Sequence, residues 1–385
     1  TVARMRNGAG GNRPVLVAEF RATHSTAGGP DKTVLLSAVR HDPARVRIVP
    51  IFLVPEGDEA PGLWELAKGC GAEPIVVPYR GPLDLTILGD VDRLLEQHGC
   101  RVLHAHDFKT DVLGLYLGRR RDLGLVATAH GWSRLLSRRQ RLYHAADRWA
   151  LRRYPTVIAV SEATAGELRR VGVSPQRIEV IPNGVDLDRW SPQMPAQTPP
   201  GLRPGRRVVG TVGRLSIDKD MGTLIRALAA WAPAAEAPDL VIVGEGLEGS
   251  QLRMLAKEVG VEERVLFLGH RTDLRDLYAA MDVFVLSSRT EGMPNALLEA
   301  MAMERPCVVT PVGGVAELAG PAEALHVATG DAAGMAAAIR SLLEDPAAAR
   351  ALAARGRARV AERFSFDARL RRMETLYERI AAGWG

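Results

Sequence analysis

The chain of 385 residues has only three cysteines, Cys70, Cys100 and Cys307. They are too few and too scattered for a disulfide framework or a metal site, and such sparing use suits a reducing compartment. No apolar run is long enough to span a bilayer. The opening stretch TVARMRNGAGGNRP is basic but has no apolar core of the kind a secretory leader needs. It is read as a flexible tail over residues 1–13. There is no fixed-period repeat and no low-complexity block, so repeat arrays are excluded. No Ser/His/Asp order stands out, and no Asp-x-Asp pair stands where a catalytic metal would be expected. These absences together describe a cytoplasmic globular protein without a resident metal.

What is present fits that frame. Apolar residues make up 46% and charged residues 25% of the chain, as in ordinary soluble domains. The length exceeds what one core usually serves, so two domains are expected. The net charge of +5 is uneven: residues 1–200 hold 27 Lys+Arg against 21 Asp+Glu, and the remainder is nearly balanced. Much of the excess falls in RLLSRRQRLYHAADRWALRR, residues 134–153, with seven arginines and one aspartate. Such a stretch can meet phosphates, anionic lipid or nucleic acid. The plainer expectation is a solvated helix face, with Leu142, Ala145 and Trp149 turned inward at helical spacing.

Short runs rich in valine, isoleucine and leucine alternate with helical stretches. PVLVAEF (14–20), VRIVPIFLV (46–54), EPIVVPY (73–79), RVLHAH (101–106), LVATAH (125–130) and TVIAVS (156–161) read as buried parallel strands. KTVLLSAVR, VDRLLEQHG and SEATAGELRRVG read as helices between them. After IPNGVDLDRW (181–190) comes a proline-rich crossing, and the rhythm restarts with RVVGTVG, DLVIVG, RVLFLG, DVFVLS and PCVVT. The expected fold is α/β: two Rossmann-like doubly wound domains facing a cleft, over residues 14–190 and 207–364, with a linker at 191–206. A terminal helix over 365–385 completes the chain.

In open parallel sheets ligands sit beyond the carboxyl ends of the strands, so the loops after strands carry the information. EGMPNALLEAMA, residues 291–302, follows the strand DVFVLS. Pro294 suits the first turn of a helix, and the free N–H groups near Asn295 and Ala296 make an anion site. Glu291 stands just outside the helix and Glu299 inside it, roughly 7–8 Å along the axis. Two acids with phosphate-binding amides between them match a nucleotide sugar, which has hydroxyls at both ends and a diphosphate in the middle. In GRLSIDKD (213–220), Gly213 begins the loop, and Arg214 and Lys219 supply the two cations that a diphosphate leaving group needs. Gly244, Gly246 and Gly249 spell G-x-G-x-x-G after a strand, but the next strand ends at Gly269 and His270 without an acid to hold a ribose. Gly244 to Gly246 are therefore read as a tight turn approaching the cleft, and Gly213, Gly244 and Gly246 are expected among the donor-binding residues. Gly28 and Gly29 follow the first strand and allow close backbone approach. His130, at a strand end in TAHGW, can reach a phosphate or a sugar hydroxyl. His104 and His106 are read as structural, with His106 the more exposed.

These residues, in this order, resemble family 4 of the retaining glycosyltransferases, which have the GT-B fold. The resemblance covers nearly the whole chain, through Gly28-Gly29, TAHG, VIAVS, VIPNGVDLDRW, GRLSIDK, GEG, FLGH and EGMPNALLEAMA…VVTPVGG. It implies that the second domain holds the nucleotide sugar and that the first serves the acceptor. Arg214 and Lys219 are then expected on the diphosphate, Glu299 on the ribose and Glu291 on the donor sugar. The backbone through Gly292, Met293, Pro294, Asn295, Ala296 and Leu297 would hold phosphate and sugar. His270 and Arg271 would lie by the base, Gly28 and Gly29 by the diphosphate or sugar, and His130 near the reacting centre. The terminal helix would cross back onto the first domain. Two positions depart from the family's usual glycine, Asp220 after Lys219 and Glu304 after the helix.

The expected reaction moves a sugar from a nucleoside diphosphate, UDP first, to an acceptor hydroxyl with retention, in polysaccharide, glycolipid or other glycoconjugate synthesis. No cofactor or metal is required, and nucleic acid is not expected as a partner. Peripheral contact with an anionic membrane surface stays open. So do a small natural-product acceptor, a GT-B epimerase or phosphorylase, a nicotinamide-dependent dehydrogenase, and a non-catalytic binding protein.

Overall fold

The computed structural model describes residues 13–23, 28–81, 84–132, 138–194, 196–197, 199, 201–231 and 236–383. Most of the expected tail, the 24–27 part of the first glycine loop, the 134–137 start of the basic stretch, parts of the linker and the last two residues lie outside them. No helix among the described residues is long and apolar enough to cross a membrane.

Two parallel sheets form where the valine- and isoleucine-rich runs stand. The first contains β1 (Val15–Ala22), β2 (Val46–Pro55), β3 (Ile75–Tyr79), β4 (Val102–Ala105), β5 (Gly124–Ala129), β6 (Thr156–Ala159) and β7 (Ile178–Val180), in the order β3-β2-β1-β4-β5-β6-β7. The second contains β8 (Val208–Val212), β9 (Asp239–Val243), β10 (Val265–Gly269), β11 (Val283–Leu286), β12 (Cys307–Val309) and β13 (Leu325–His326), in the order β10-β9-β8-β11-β12-β13. The strand order reverses between β1 and β4 and again between β8 and β11. Such a reversal opens a crevice at the carboxyl ends.

Helices α1 (Gly29–Arg40), α2 (Pro61–Cys70), α3 (Thr86–Gln97), α4 (Phe108–Arg121), α5 (Arg138–Leu151) and α6 (Glu162–Arg170) connect the first sheet. Helices α7 (Met221–Ala229), α8 (Gly249–Glu258), α9 (Leu274–Ala280), α10 (Asn295–Ala302), α11 (Val315–Leu318) and α12 (Ala332–Glu344) serve the second, and α13 (Pro346–Arg363) and α14 (Phe366–Ala382) end the chain. The strands change sheet across residues 181–207. By backbone packing, however, the chain divides inside β5, into Thr1–Val126 with Leu370–Gly385 and Ala127–Arg369.

In the larger unit, successive residues of the second sheet bury alternate faces. Val241, Val243, Phe284, Leu286, Cys307 and Val309 join one core cluster, and Leu240, Ile242, Val283, Val285 and Val308 the other. Both faces are covered, so the strands read as unbroken apolar runs rather than as alternating patterns. In the smaller unit, α14 is tied down by a buried cluster. Tyr377 donates its hydroxyl to Glu19 Oε1 at 2.9 Å, and His104 Nδ1 lies 2.7 Å from the same hydroxyl. Glu19 on β1, His104 on β4 and His106 just after β4 offer ligand-type atoms within 4.8 Å of one another. Both histidines are buried, with His106 at 3% slightly more exposed than His104 at 0%. Arg45 adds ion pairs to Glu374 and Glu378 of α14.

Helix α5 corrects one expectation. Leu142 and Trp149 are 71% and 42% exposed, and Ala145 is exposed beside them. The inward face is instead Asp147, Ala150 and Leu151, followed by Tyr154. The reason is polar: Trp132 Nε1 donates to Asp147 Oδ2 at 2.6 Å, which gives the buried carboxylate a partner and turns that side in.

Both departures from glycine sit in left-handed backbone, Asp220 at φ 45° and Glu304 at φ 56°. Glu304 closes α10: its N–H reaches Met301 O at 3.0 Å, and Arg305 N–H reaches Ala300 O at 2.9 Å, a Schellman ending. Asp220 is held by Thr223 Oγ1 at 2.9 Å and Arg289 at 3.1 Å, as a short polar side chain in this region can be. Glu304→Gly removes the left-handed penalty but loosens the unfolded chain. A net gain of up to about 1 kcal/mol is expected, read as a raised thermal midpoint.

Candidate active site

The loops after β8, β9 and β11 are joined into one shelf at the carboxyl ends of the second sheet. After β8, the chain from Gly213 to Asp220 lies on the turn after β9. Gly213 N–H reaches Val243 O at 2.9 Å, Leu215 N–H reaches Glu245 O at 2.9 Å, and Glu248 N–H reaches Leu215 O at 3.0 Å. Gly244 has φ 131°, and a Cβ there would stand 2.1 Å from Gly213 O. One at Gly246 would stand 2.2 Å from Leu215 O. The first two glycines of the G-x-G-x-x-G run are therefore required by the neighbouring backbone, with no dinucleotide invoked. On the other side, Ser287 Oγ donates to Lys219 O at 2.9 Å and Arg289 N–H to Asp218 O at 2.7 Å.

Helix α10 begins at Asn295. Pro294 is its N-cap, with extended backbone (φ −76°, ψ 112°), one position before the first turn that its ring would also suit. No side chain caps the helix, so the first N–H groups stay turned to the loop. Glu291 precedes the helix and is held twice, by Lys219 Nζ at 2.6 Å and by Ser288 Oγ at 2.6 Å. Arg214 is exposed on the loop that also carries Lys219. Glu299, one turn into α10, is 7% exposed, and Tyr278 donates to its Oε2 at 3.2 Å. Burial first, and then the Glu299 charge, pushes the Tyr278 phenol well above its ordinary value, so it remains a donor. Met293 and Leu297 are buried in the core below, while Asn295 and Ala296 are half-buried.

The approach to α10 is pinned by backbone on backbone. A Cβ on Gly292 would stand 2.1 Å from His130 O, which places the end of β5 against this loop. Gly314 N–H reaches Gly292 O at 3.1 Å from the far side. Asn183, buried in the IPNGVD segment, donates its amide to Met293 O at 3.0 Å. That motif carried no role in the sequence; its spacing to Met293 is 110 residues, and only the fold joins them.

His270 is exposed, its N–H 3.4 Å from Glu245 Oε1, and Arg271 is paired with Asp273 beside it. Gly28 and Gly29 belong to the smaller unit. Gly28 caps α1 and gives its N–H to Asp31 Oδ2 at 2.6 Å, and Asp31 Oδ1 accepts from Arg21 Nε at 2.8 Å. Among the described residues, a Cβ at Gly28 would meet nothing nearer than 3.6 Å.

The contact at Gly292 cannot relax by a rotamer change, since both partners are main chain. Gly292→Ala is expected to cost about 1–3 kcal/mol in denaturant unfolding, whereas Gly28→Ala leaves stability nearly unchanged.

Known proteins resemble this chain in sequence and in fold. Residues 206–345 match the family described as Glycosyl transferases group 1, and residues 35–189 match Glycosyltransferase Family 4. The glycogen synthase of Mycobacterium tuberculosis is 33% identical over 279 residues, which are 69% of this chain and 66% of that protein. The chain thus spans just under two thirds of that relative's length. LpsB of Rhizobium meliloti, a lipopolysaccharide core biosynthesis mannosyltransferase, is 30% identical over 299 residues, 74% of this chain and 81% of that one. A crystal structure of Anabaena HepE in complex with UDP and glucose has a TM-score of 0.77 at 23% identity, covering 93% of this chain and 99% of that one. At that identity the likeness speaks for the fold. With both halves matched, and a relative aligned over most of its length, the chain belongs to the family 4 (group 1) glycosyltransferases and has their GT-B fold.

Proposed function

We propose that the protein is a retaining glycosyltransferase that moves a sugar from a nucleoside-diphosphate sugar, a UDP-sugar, to an acceptor hydroxyl. The observation that carries this is one shelf holding Arg214, the Lys219–Glu291 pair, the uncapped start of α10 and the buried Glu299. It is a positive strip with an acid at each side. The printed names of relatives and neighbours, a mannosyltransferase and a protein crystallised with UDP and glucose, support the substrate class. A dehydrogenase reading loses its support, because Gly244 and Gly246 are explained by packing on the 213–215 backbone.

On this reading Glu299 takes the ribose hydroxyls while Arg214, Lys219 and the N–H groups at Asn295 and Ala296 take the diphosphate. Charge grows on the leaving phosphate as the anomeric carbon gains oxocarbenium character, and these fixed donors oppose it without reorganising. Glu291, already anchored by Lys219 and Ser288, faces the donor sugar. The acceptor hydroxyl attacks from the face that the diphosphate leaves and gives its proton to a phosphate oxygen, which keeps the anomeric configuration. Glu291 as a covalent nucleophile is the alternative route to the same product. His270 and Arg271 flank the base, and His130 lies near the reacting centre. Glycoconjugate or polysaccharide synthesis is the setting proposed, with the first half of the chain serving the acceptor.

Arg214→Ala should lower turnover about 10²–10³-fold. Glu299→Gln should weaken UDP binding about tenfold or more, with the thermal midpoint little changed. Calorimetry with UDP, GDP, ADP, dTDP and NAD tests the assignment: binding of NAD alone, or unchanged turnover in Arg214→Ala, defeats it. Because Arg214, Lys219 and the helix N–H groups already supply positive charge, turnover should survive EDTA. Loss of turnover in EDTA, restored by a divalent cation, would show that these groups are insufficient.

A further inference from the structure

The basic stretch has no part in the shelf just described, and its helix is built in an unusual way. Helix α5 already has a buried side, formed by Asp147, Ala150 and Leu151. It carries a second apolar seam on the opposite side: Leu142, Ala145 and Trp149 lie at i, i+3 and i+7, all exposed. Arg141, Arg152 and Arg153 are exposed around that seam. The single acid of the stretch, Asp147, is turned inward and bonded to Trp132, so none of its charge offsets the arginines outside. Arg153 stacks on Trp149, its guanidinium carbon 4.2 Å from the ring centroid, and donates to Trp149 O at 2.8 Å.

We infer that the outward face of α5 is a docking surface for an anionic lipid bilayer. Two features must be used together by any partner, a leucine–tryptophan seam and a rim of arginines to which the stretch itself adds no exposed acid. A bilayer uses both. Leucine and tryptophan enter the headgroup boundary, where a half-polar indole is favoured, while guanidinium groups meet lipid phosphates. A nucleic acid would use the arginines but has no call on a leucine that is 71% exposed.

The test is co-sedimentation of the full-length protein with phosphatidylcholine vesicles, with and without phosphatidylglycerol, beside UDP calorimetry on the same samples. The wild type should sediment with the anionic vesicles only, and added salt should weaken this. Leu142→Ser with Trp149→Ser, and separately Arg141→Gln with Arg152→Gln, should each lower partitioning about tenfold or more, with UDP binding unchanged as the check on folding. Equal partitioning onto uncharged vesicles, or undiminished binding by both double variants, overturns the inference. So does retention on an oligonucleotide, without vesicle binding, that the Leu142/Trp149 variant keeps in full. Vesicle binding by a wild type that fails to bind UDP would sustain the docking surface and defeat the transferase reading alone.

Discussion

The contact of one main chain on another at Gly292 organises the rest of the site. Because that residue has no side chain, the loop entering α10 rests on the His130 carbonyl and takes a hydrogen bond from Gly314. Asn183 then holds the next carbonyl, at Met293. A helix start pinned from three directions cannot swing, so its uncapped N–H groups keep one heading. Such preorganisation is what makes a set of weak dipoles useful against a developing negative charge. The glycines at 244 and 246 play the same part on the other side, letting the 213–215 backbone settle directly onto the turn after β9.

The charges of the site are arranged around that frame. Lys219 and Glu291 satisfy each other in the ligand-free protein, with Ser288 adding a donor. Neither is left as an isolated partly buried charge, a state that would cost several kcal/mol. A diphosphate entering beside Lys219 can share the ammonium, while Glu291 keeps its serine partner. Glu299 is deeper and relies on Tyr278, whose phenol is kept protonated by the same burial and the same carboxylate. The two acids of the E-x7-E segment thus have different supports, which fits different roles toward a ligand that spans them.

Much of the fold was legible because it depends on local chemistry. Short runs rich in valine, isoleucine and leucine marked the strands, and their lack of alternation pointed to buried parallel sheets. The loops worth inspecting followed from strand polarity alone. Asp220 and Glu304 could be flagged as occupying glycine positions, and both lie in the left-handed region.

What the sequence could determine was the order of elements and the strand ends that carry Arg214, Lys219, Glu291 and Glu299, since each is set by neighbours within a few residues. Pairings across long separations were decided only by the tertiary structure. These include Asn183 with Met293, Lys219 with Glu291, and Tyr377 with Glu19 and His104. The orientation of α5 belongs with them. Its sequence offers two apolar faces of similar merit, and periodicity favoured the one with leucine and tryptophan. The choice went to the other because a buried hydrogen bond between Asp147 and Trp132 selects a face, and hydrophobic burial by itself has no direction.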